Sequence, residues 1–172
     1  MSVKIKGLEE LNRNLKNLSK EVKKGARAAA RKALSSGAKE IKQTLKPAVP
    51  VMASSTNFRQ KGVLKNNIRH RVKLSKDGSI TGEAEVFFSD KKKSIAYKDR
   101  QRVGITATGK RLTGPVKIYL NDPYFWHMVD RGTVNGVKAQ HFMKKAEQVA
   151  KDRALRTVDR KFQEEMKKVI KK

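Results

Sequence analysis

The chain has 172 residues and a formal net charge of +26, because 42 lysines and arginines outnumber 16 aspartates and glutamates. Hydrophobic residues make up 37% of the sequence and aromatic residues 6%, so we expect a small aliphatic core rather than the large multilayer core of many enzymes. The absence of cysteine excludes disulfide bonds, thiolate metal ligands and a cysteine nucleophile.

The first predicted element is a helix over residues 8–45, which follows a short alternation of apolar and basic residues at 3–6. Apolar residues recur at spacings of three and four, with one eight-residue step across Gly37. The stripe consists of Leu8, Leu11, Leu15, Leu18, Val22, Ala26, Ala29, Ala33, Ile41 and Leu45.

Glycines and prolines set the limits of this helix. Gly25 and Gly37 each disfavour a helix interior by about 1 kcal/mol, so a division into two helices near Ser19 or Gly25 stays open. Pro47 and Pro50 predict the end of the helix, because proline lacks the backbone donor and disfavours helix in the residue before it.

After a loop over 47–61, the pattern becomes that of strands. Residues 68–74 alternate apolar and basic side chains, and residues 80–88 are rich in β-favouring types. The Asp-Gly pair at 77–78 is a strong turn signal. We therefore predict an antiparallel hairpin over 68–88.

The most cationic segment is an excursion over residues 89–117, with nine lysines and arginines against two aspartates. Its fragments 95–97 and 103–106 have the composition of short strands, and glycines punctuate it. We predict a long, mobile, basic loop between two strands, because loops of this length in compact domains are usually functional or disordered when free.

A short strand at 118–120 is followed by a predicted helix over residues 124–130. Asp122 before Pro123 is typical of an N-cap with proline at the first helical position, and Gly132 predicts the end of the helix.

A second long helix is predicted over residues 140–172. Its apolar stripe consists of Phe142, Ala146, Val149, Ala150, Val158, Phe162, Met166, Val169 and Ile170. The helix would be about 50 Å long at 1.5 Å per residue. We therefore expect its distal half to need a neighbouring subunit to cover the stripe.

Together these elements predict an α+β fold, in which long N-terminal and C-terminal helices pack on a small antiparallel sheet over 68–120. The length favours one domain, residues 1–172. No stretch approaches the about 20 apolar residues that span a bilayer, and the N-terminus lacks the apolar region of a signal peptide, so we expect a soluble protein made in the cytoplasm with no membrane partner.

The residues that could carry chemistry do not converge. Most acidic residues are single and flanked by lysine or arginine, which favours surface ion pairs, as in Val-Asp-Arg at 129–131. His70, His127 and His141 lie on different elements without metal-ligand spacing. We predict no enzyme, no metal and no cofactor, and a ribonuclease that uses two histidines is the alternative left open.

Partner binding is better supported, because the excursion carries a high density of positive charge. It contains one aromatic residue, Tyr97, so sequence-specific stacking on bases is disfavoured, and contact with nucleic acid would be salt-sensitive contact with phosphates. The candidates for contact with a partner or with DNA are Lys91, Lys92, Lys93, Lys98, Arg100, Arg102, Lys110 and Arg111.

An aromatic cluster at 124–129 holds the one tryptophan of the chain, Trp126. Its side chains either close the gap between the long helices and the sheet, or anchor a subunit interface, where tryptophan and tyrosine are enriched.

Four motifs in order resemble a known family. They are VKIKGLEELNRNLKNL near the start, GVLKNNI at 62–68, YFWHMVDRGT at 124–133 and AQHFMKKAEQ at 139–148. This order is similar to that of phage tail-completion or head–tail joining proteins, the neck and minor tail proteins of long-tailed phages with non-contractile tails. Two departures are Arg131 between Asp130 and the Gly-Thr pair, and His141 where the family usually has proline.

The resemblance implies a structural virion protein that forms an oligomeric ring, expected to be a hexamer, where the tail meets the DNA-filled head. It implies contacts with copies of itself, with neck, tail-terminator or tail-tube proteins, and with the genomic DNA backbone. Residues assigned to the core or to subunit interfaces are Gly62, Leu64, Ile68, Tyr124, Trp126, Gly132, Thr133 and Phe142. The alternative is an architectural protein that binds the phosphate backbone of nucleic acid.

Overall fold

The computed structural model describes residues 3–7, 20–56, 59–90, 94–100, 104–112, 114–134 and 136–170. The fold is α+β, as predicted. In chain order the elements are β1 (Val3–Gly7), α1 (Lys20–Ala48), α2 (Val63–Asn66), β2 (Ile68–Leu74), β3 (Gly82–Phe88), β4 (Ile95–Lys98), β5 (Gly104–Ile105), β6 (Arg111–Leu112), β7 (Val116–Tyr119), α3 (Trp126–Arg131) and α4 (Phe142–Ile170).

The two long helices, α1 and α4, pack against each other in antiparallel directions. Lys32 on α1 pairs with Glu165 near the end of α4, and Glu40 pairs with Arg153 nearer its start. Many of the buried side chains on the two helices are small: Ala26, Ala29, Ala30, Ala33, Ala38, Ala146, Ala150 and Ala154. We call this pair the helical hairpin.

Helix α1 confirms the predicted period from residue 20 onward, whereas residues 8–19 lie outside the described residues. The helix is continuous through Gly25 and Gly37, so the division left open at Gly25 does not occur. A Cβ added at Gly25 would lie 2.5 Å from Cγ1 of Val169, so this glycine lets α4 approach closely. The prediction that Pro47 ends the helix is wrong, because the helix continues through Pro47 and ends at Ala48.

The stripe of α4 was predicted in part. Phe142, Ala146, Ala150, Val158 and Phe162 are buried as expected. The prediction that Val149 and Ile170 are buried is wrong. Their side chains are 69% and 73% exposed, because the line of contact with α1 passes beside them.

The distal half of α4 needs no neighbouring subunit to cover Val158 and Phe162, whereas Ile170 at its end stays exposed. Val158 and Phe162 are buried within the described chain, because the first half of α1 lies along them.

The central sheet has the order β1-β3-β2 and is antiparallel throughout, which confirms the hairpin over 68–88. Ile68 lies opposite Phe88, and Leu74 lies opposite Gly82. One face of the sheet packs on α1 through buried Ile68, Ala84 and Val86.

The excursion is more regular than predicted. Strand β4 pairs with β7, and β5 pairs with β6 inside them, which gives two nested antiparallel pairs. The predicted strand at 118–120 is β7, and it pairs with β4 rather than with the central sheet. We call residues 94–119 the basic arm. Lys91, Lys92, Lys93 and Arg102 lie outside the described residues.

No helix in the described part of the chain combines the length and apolar character that a bilayer span requires.

Candidate interaction surface

The aromatic cluster joins the helical hairpin to the sheet. The ring of Trp126 stacks on Phe88 of β3 with 5.3 Å between centroids, and Phe88 meets the edge of Phe142 at 5.9 Å. Phe125 is buried beside them, whereas Tyr124 is 54% exposed. Trp126 and Phe142 therefore fill the gap between helices and sheet. Phe125 is buried under the Arg59 guanidinium, and Tyr124 lies on the surface.

Helix α3 begins at Trp126, two residues later than predicted. Asp122 does not cap it. Its Oδ1 accepts a hydrogen bond from the backbone N–H of Tyr124 at 3.0 Å, so the carboxylate stabilises the turn that precedes the helix.

Asp130 holds the start of α4, a role that the sequence analysis missed. Its buried carboxylate accepts a hydrogen bond from the N–H of Met143 at 3.0 Å, and its carbonyl accepts one from the N–H of His141 at 2.9 Å. The interpretation of Asp130 as a surface ion pair was therefore wrong. The chain folds back after α3, and this tertiary contact leaves no local signal in the sequence.

The Gly-Thr pair makes that reversal. Gly132 has a φ of +80°, and a Cβ there would lie 2.8 Å from the carbonyl oxygen of Val137. Thr133 closes the turn, because its N–H donates to the carbonyl of Val137 at 3.0 Å. The turn leaves Val134 and Val137 exposed.

The GVLKNNI motif lies at the base of the sheet. Gly62 has a φ of +77° before α2, and Leu64 and Ile68 are core residues. Buried Asn67 donates from Nδ2 to the carbonyls of Val63, at 2.9 Å, and Asn121, at 2.8 Å. Asn67 thus connects α2 to the segment after β7 through a contact that was not predicted from the sequence.

The described candidates on the basic arm fall into two groups. Lys110 and Arg111 are exposed near its tip, whereas Lys98 and Arg100 are half-buried. The Arg100 guanidinium lies beside Gly104, where an added Cβ would be 2.5 Å from one of its terminal nitrogens. Arg100 therefore packs along the arm, and Lys110 and Arg111 face the solvent.

The arm also exposes apolar side chains. Ile105 is 64% exposed and Tyr97 is 66% exposed, and Leu112, which is opposite Gly104, is exposed as well. Neighbouring apolar and basic side chains on a surface are typical of a contact region for another protein, in which apolar area supplies affinity and charge supplies orientation.

A second cationic surface lies where α1 meets β2. We call Lys39, Lys42, Lys46, Arg69 and His70 the α1–β2 cluster. Among the described residues, none of the four lysines and arginines forms an ion pair with a carboxylate.

Burial lowers the pKa of Lys42, and the positive charges of Arg69 and Lys46 lower it further. Burial also lowers the pKa of His70, again with help from Lys42 and Lys39. Both shifts therefore combine burial with repulsion from neighbouring positive charges. The spacing of 39, 42 and 46 on one helix face was a signal for the helical half of this cluster, but the half on β2 depends on the tertiary fold.

The three histidines lie in different parts of the fold. Nε2 of His70 lies 3.1 Å from Oγ of Ser35, within the α1–β2 cluster. His127 and His141 are exposed on other elements. Within the described ranges no group of histidine, aspartate and glutamate could hold a metal ion.

The comparison with protein families supports the resemblance. A family model described as "Bacteriophage HK97-gp10, putative tail-component" matches residues 9–132, which is more than half of the chain. The match confirms the resemblance to phage tail proteins, and it ends at Gly132, before the AQHFMKKAEQ motif and helix α4. Comparisons with curated proteins and with solved structures found no match.

Proposed function

Because the chain belongs to the HK97-gp10-like family of bacteriophage tail components, we propose that it is a structural protein of the virion that completes the tail and joins it to the DNA-filled head. It would act as an oligomeric ring, with sixfold symmetry as the expected form. Its partners would be copies of itself and the adjoining neck, tail-terminator or tail-tube proteins. The protein would be made in the host cytoplasm and act without catalysis.

The basic arm is the observation that carries this proposal. In the described part of the chain its strands pair only with each other, so the arm extends from the central sheet without being part of it. Its tip presents Ile105, Lys110 and Arg111 to the solvent. An element of this kind contributes little to the core and is available to contact an adjacent subunit.

The α1–β2 cluster favours a second candidate, contact with the phosphate backbone of DNA. Its charges have no carboxylate partners among the described residues, and a phosphate would relieve their mutual repulsion. Within a virion this contact and the joining role are compatible. In an architectural nucleic-acid-binding protein it would be the main activity, with affinity that falls steeply as salt rises.

Complementation of a phage that lacks this gene tests the joining role. The variant with Lys110→Ser and Arg111→Ser should leave filled heads and separate tails in electron micrographs, because the exposed tip would lose its charge. A matched variant, with Lys144→Ser and Lys145→Ser on the exposed face of α4, should assemble normally. Equal yields of joined particles from both variants would contradict the role of the arm.

A further inference from the structure

A cleft of about 320 Å³, lined mostly by residues with polar side chains, lies beside α2, where β2 begins. Its walls are Gln60, Lys61, Val63, Asn66, Asn67, Arg69 and Asn121. Amide, ammonium and guanidinium groups therefore surround it, and none of its lining residues is acidic.

Arg69 is the unusual member of this lining. Its Nε is buried and has no hydrogen-bond partner among the described residues. A buried charged donor without an acceptor is costly, and such groups in native proteins generally have a partner that completes them. Arg69 also lies near Lys42, whose charge it repels, so the missing partner is expected to be an anion.

The walls of the cleft are held in place by backbone and side-chain hydrogen bonds. The N–H of Gln60 donates to the carbonyl of Leu120 at 3.0 Å, and Asn67 bonds to the carbonyl of Asn121. Oδ1 of Asn121 accepts from the N–H of Ser94, at the base of the basic arm, at 2.7 Å. The cleft is thus built before any ligand enters, and it is linked directly to the arm.

We propose that this cleft binds a carboxylate of a neighbouring tail protein, either an aspartate or glutamate side chain or a chain terminus. A guanidinium presents paired donors that match a carboxylate, and the exposed amides of Gln60 and Asn66 supply further donors at the rim. The small volume suits one inserted side chain, whereas a duplex backbone is a continuous ridge that would lie across the surface. This assignment rests on the tail-joining role proposed above.

Solution NMR of the ¹⁵N-labelled full chain tests the site. The probe is glutamate capped at both ends, titrated at constant ionic strength, with capped glutamine, sodium chloride and inorganic phosphate as comparisons. Saturable shifts are expected for the Nε–H of Arg69 and the side-chain amide of Asn66. Absence of saturation, or an equal response to capped glutamine or to chloride, would overturn the carboxylate site. Tighter binding of phosphate would assign the cleft to phosphate instead and would also overturn it.

Two variants separate Arg69 from its neighbours. Arg69→Gln should weaken binding of the glutamate probe by about tenfold or more, since a hydrogen bond to a charged group is lost. Arg71→Gln is the matched control: it lies on the same strand but pairs with Glu85 at 2.7 Å, so binding should stay within about twofold. Asn66→Ala, at an exposed position, should weaken binding severalfold without affecting the core. Unchanged binding in both Arg69→Gln and Asn66→Ala would refute the site.

Particle assembly distinguishes failure of the site from failure of the proposed function. If Arg69→Gln loses probe binding and still gives normal yields of joined particles, the partner assigned to the cleft is wrong and the joining role stands. If the tip variant Lys110→Ser with Arg111→Ser joins particles normally, the role of the arm fails. If the phage that lacks this gene still gives joined particles while the chain binds the probe through Arg69, the joining role fails and the carboxylate site remains.

Discussion

The helical hairpin and the basic arm use the same kinds of residue in opposite ways. In the hairpin, most apolar side chains are covered by the chain itself, and the carboxylates of Glu165 and Glu40 form ion pairs with Lys32 and Arg153 across the helix interface. In the arm, apolar side chains such as Ile105 are exposed, beside cations such as Lys110. The comparison indicates that stability resides in the hairpin and that contact with partners resides in the arm.

The largest effect is expected from a cavity in the hairpin. Phe162→Ala should lower the free energy of unfolding by about 3–5 kcal/mol, because this buried ring fills the space between α4 and α1. Urea denaturation measures the change. The control Val149→Ala lies on the same helix at a position 69% exposed, and its effect should stay within about 0.5 kcal/mol. Similar losses from both variants would show that the packing of α4 against α1 does not carry the stability of the fold.

Loss of the Asp130 carboxylate should lower the free energy of unfolding by less than Phe162→Ala does. Asp130→Ala leaves the N–H of Met143 without its acceptor at the start of α4, and we expect a loss of about 1–3 kcal/mol. Thermal unfolding at neutral pH is a suitable measurement. Asp159→Ala, on the exposed face of the same helix, should leave the midpoint nearly unchanged. If the unfolding midpoint of Asp130→Ala equals that of the parent chain, the Asp130 carboxylate does not stabilise the start of α4.

The contrast between Asp130 and the apolar stripes of the helices shows which features could be predicted from the sequence. The spacing of three and four residues correctly predicted that Ala26, Ala33 and Ile41 are buried. This works because a helix repeats its geometry locally, so residues at that spacing lie on the same face. Asp130 and Arg69 matter through contacts with segments distant in the sequence. Their neighbours in the chain do not predict those contacts.

The errors at Val149 and in the arm have the same origin. The line of α4 that is buried depends on where α1 lies across it, so a helical period alone placed Val149 on the wrong side. The arm depends on pairing between β4 and β7, which are separated by most of the segment, and its inner strands have two residues each. Such short strands carry too little alternation for a period of two to be detected.

The dependence of stability on pH should also come mainly from the hairpin. Hydrogen bonds from Lys168 and Lys32 lower the pKa of Glu165 from 4.5 to about 2. Because the folded-state pKa is depressed, this contribution is fully present above pH 4.5 and is lost as the pH falls toward about 2.

Unfolding measured from pH 6 to pH 2 should show a shallower loss of stability in Glu165→Gln than in the parent chain. Asp77, in the turn between β2 and β3, has a pKa lowered to about 2 by hydrogen bonds from Ser75 and Ser79, so part of the slope should remain. Glu147→Gln, which removes none of the ion pairs seen among the described residues, serves as the control. If Glu165→Gln and Glu147→Gln give the same slope, the ion pairs across the hairpin do not contribute in solution.

The smallest effect on stability, and the sharpest division between the two regions, is expected at the arm. Ile105→Ser combined with Leu112→Ser should change the free energy of unfolding by no more than about 0.5 kcal/mol, because both side chains are already in contact with water. The same variant should reduce the yield of joined particles, since the apolar part of the tip would be lost. Val149→Ser removes an equally exposed apolar side chain from the hairpin and should affect neither quantity. A destabilised arm variant would mean that the arm belongs to the core. Normal joining of particles would mean that its apolar tip contacts no partner. Either result would contradict the assignment of stability to the hairpin and of partner contact to the arm.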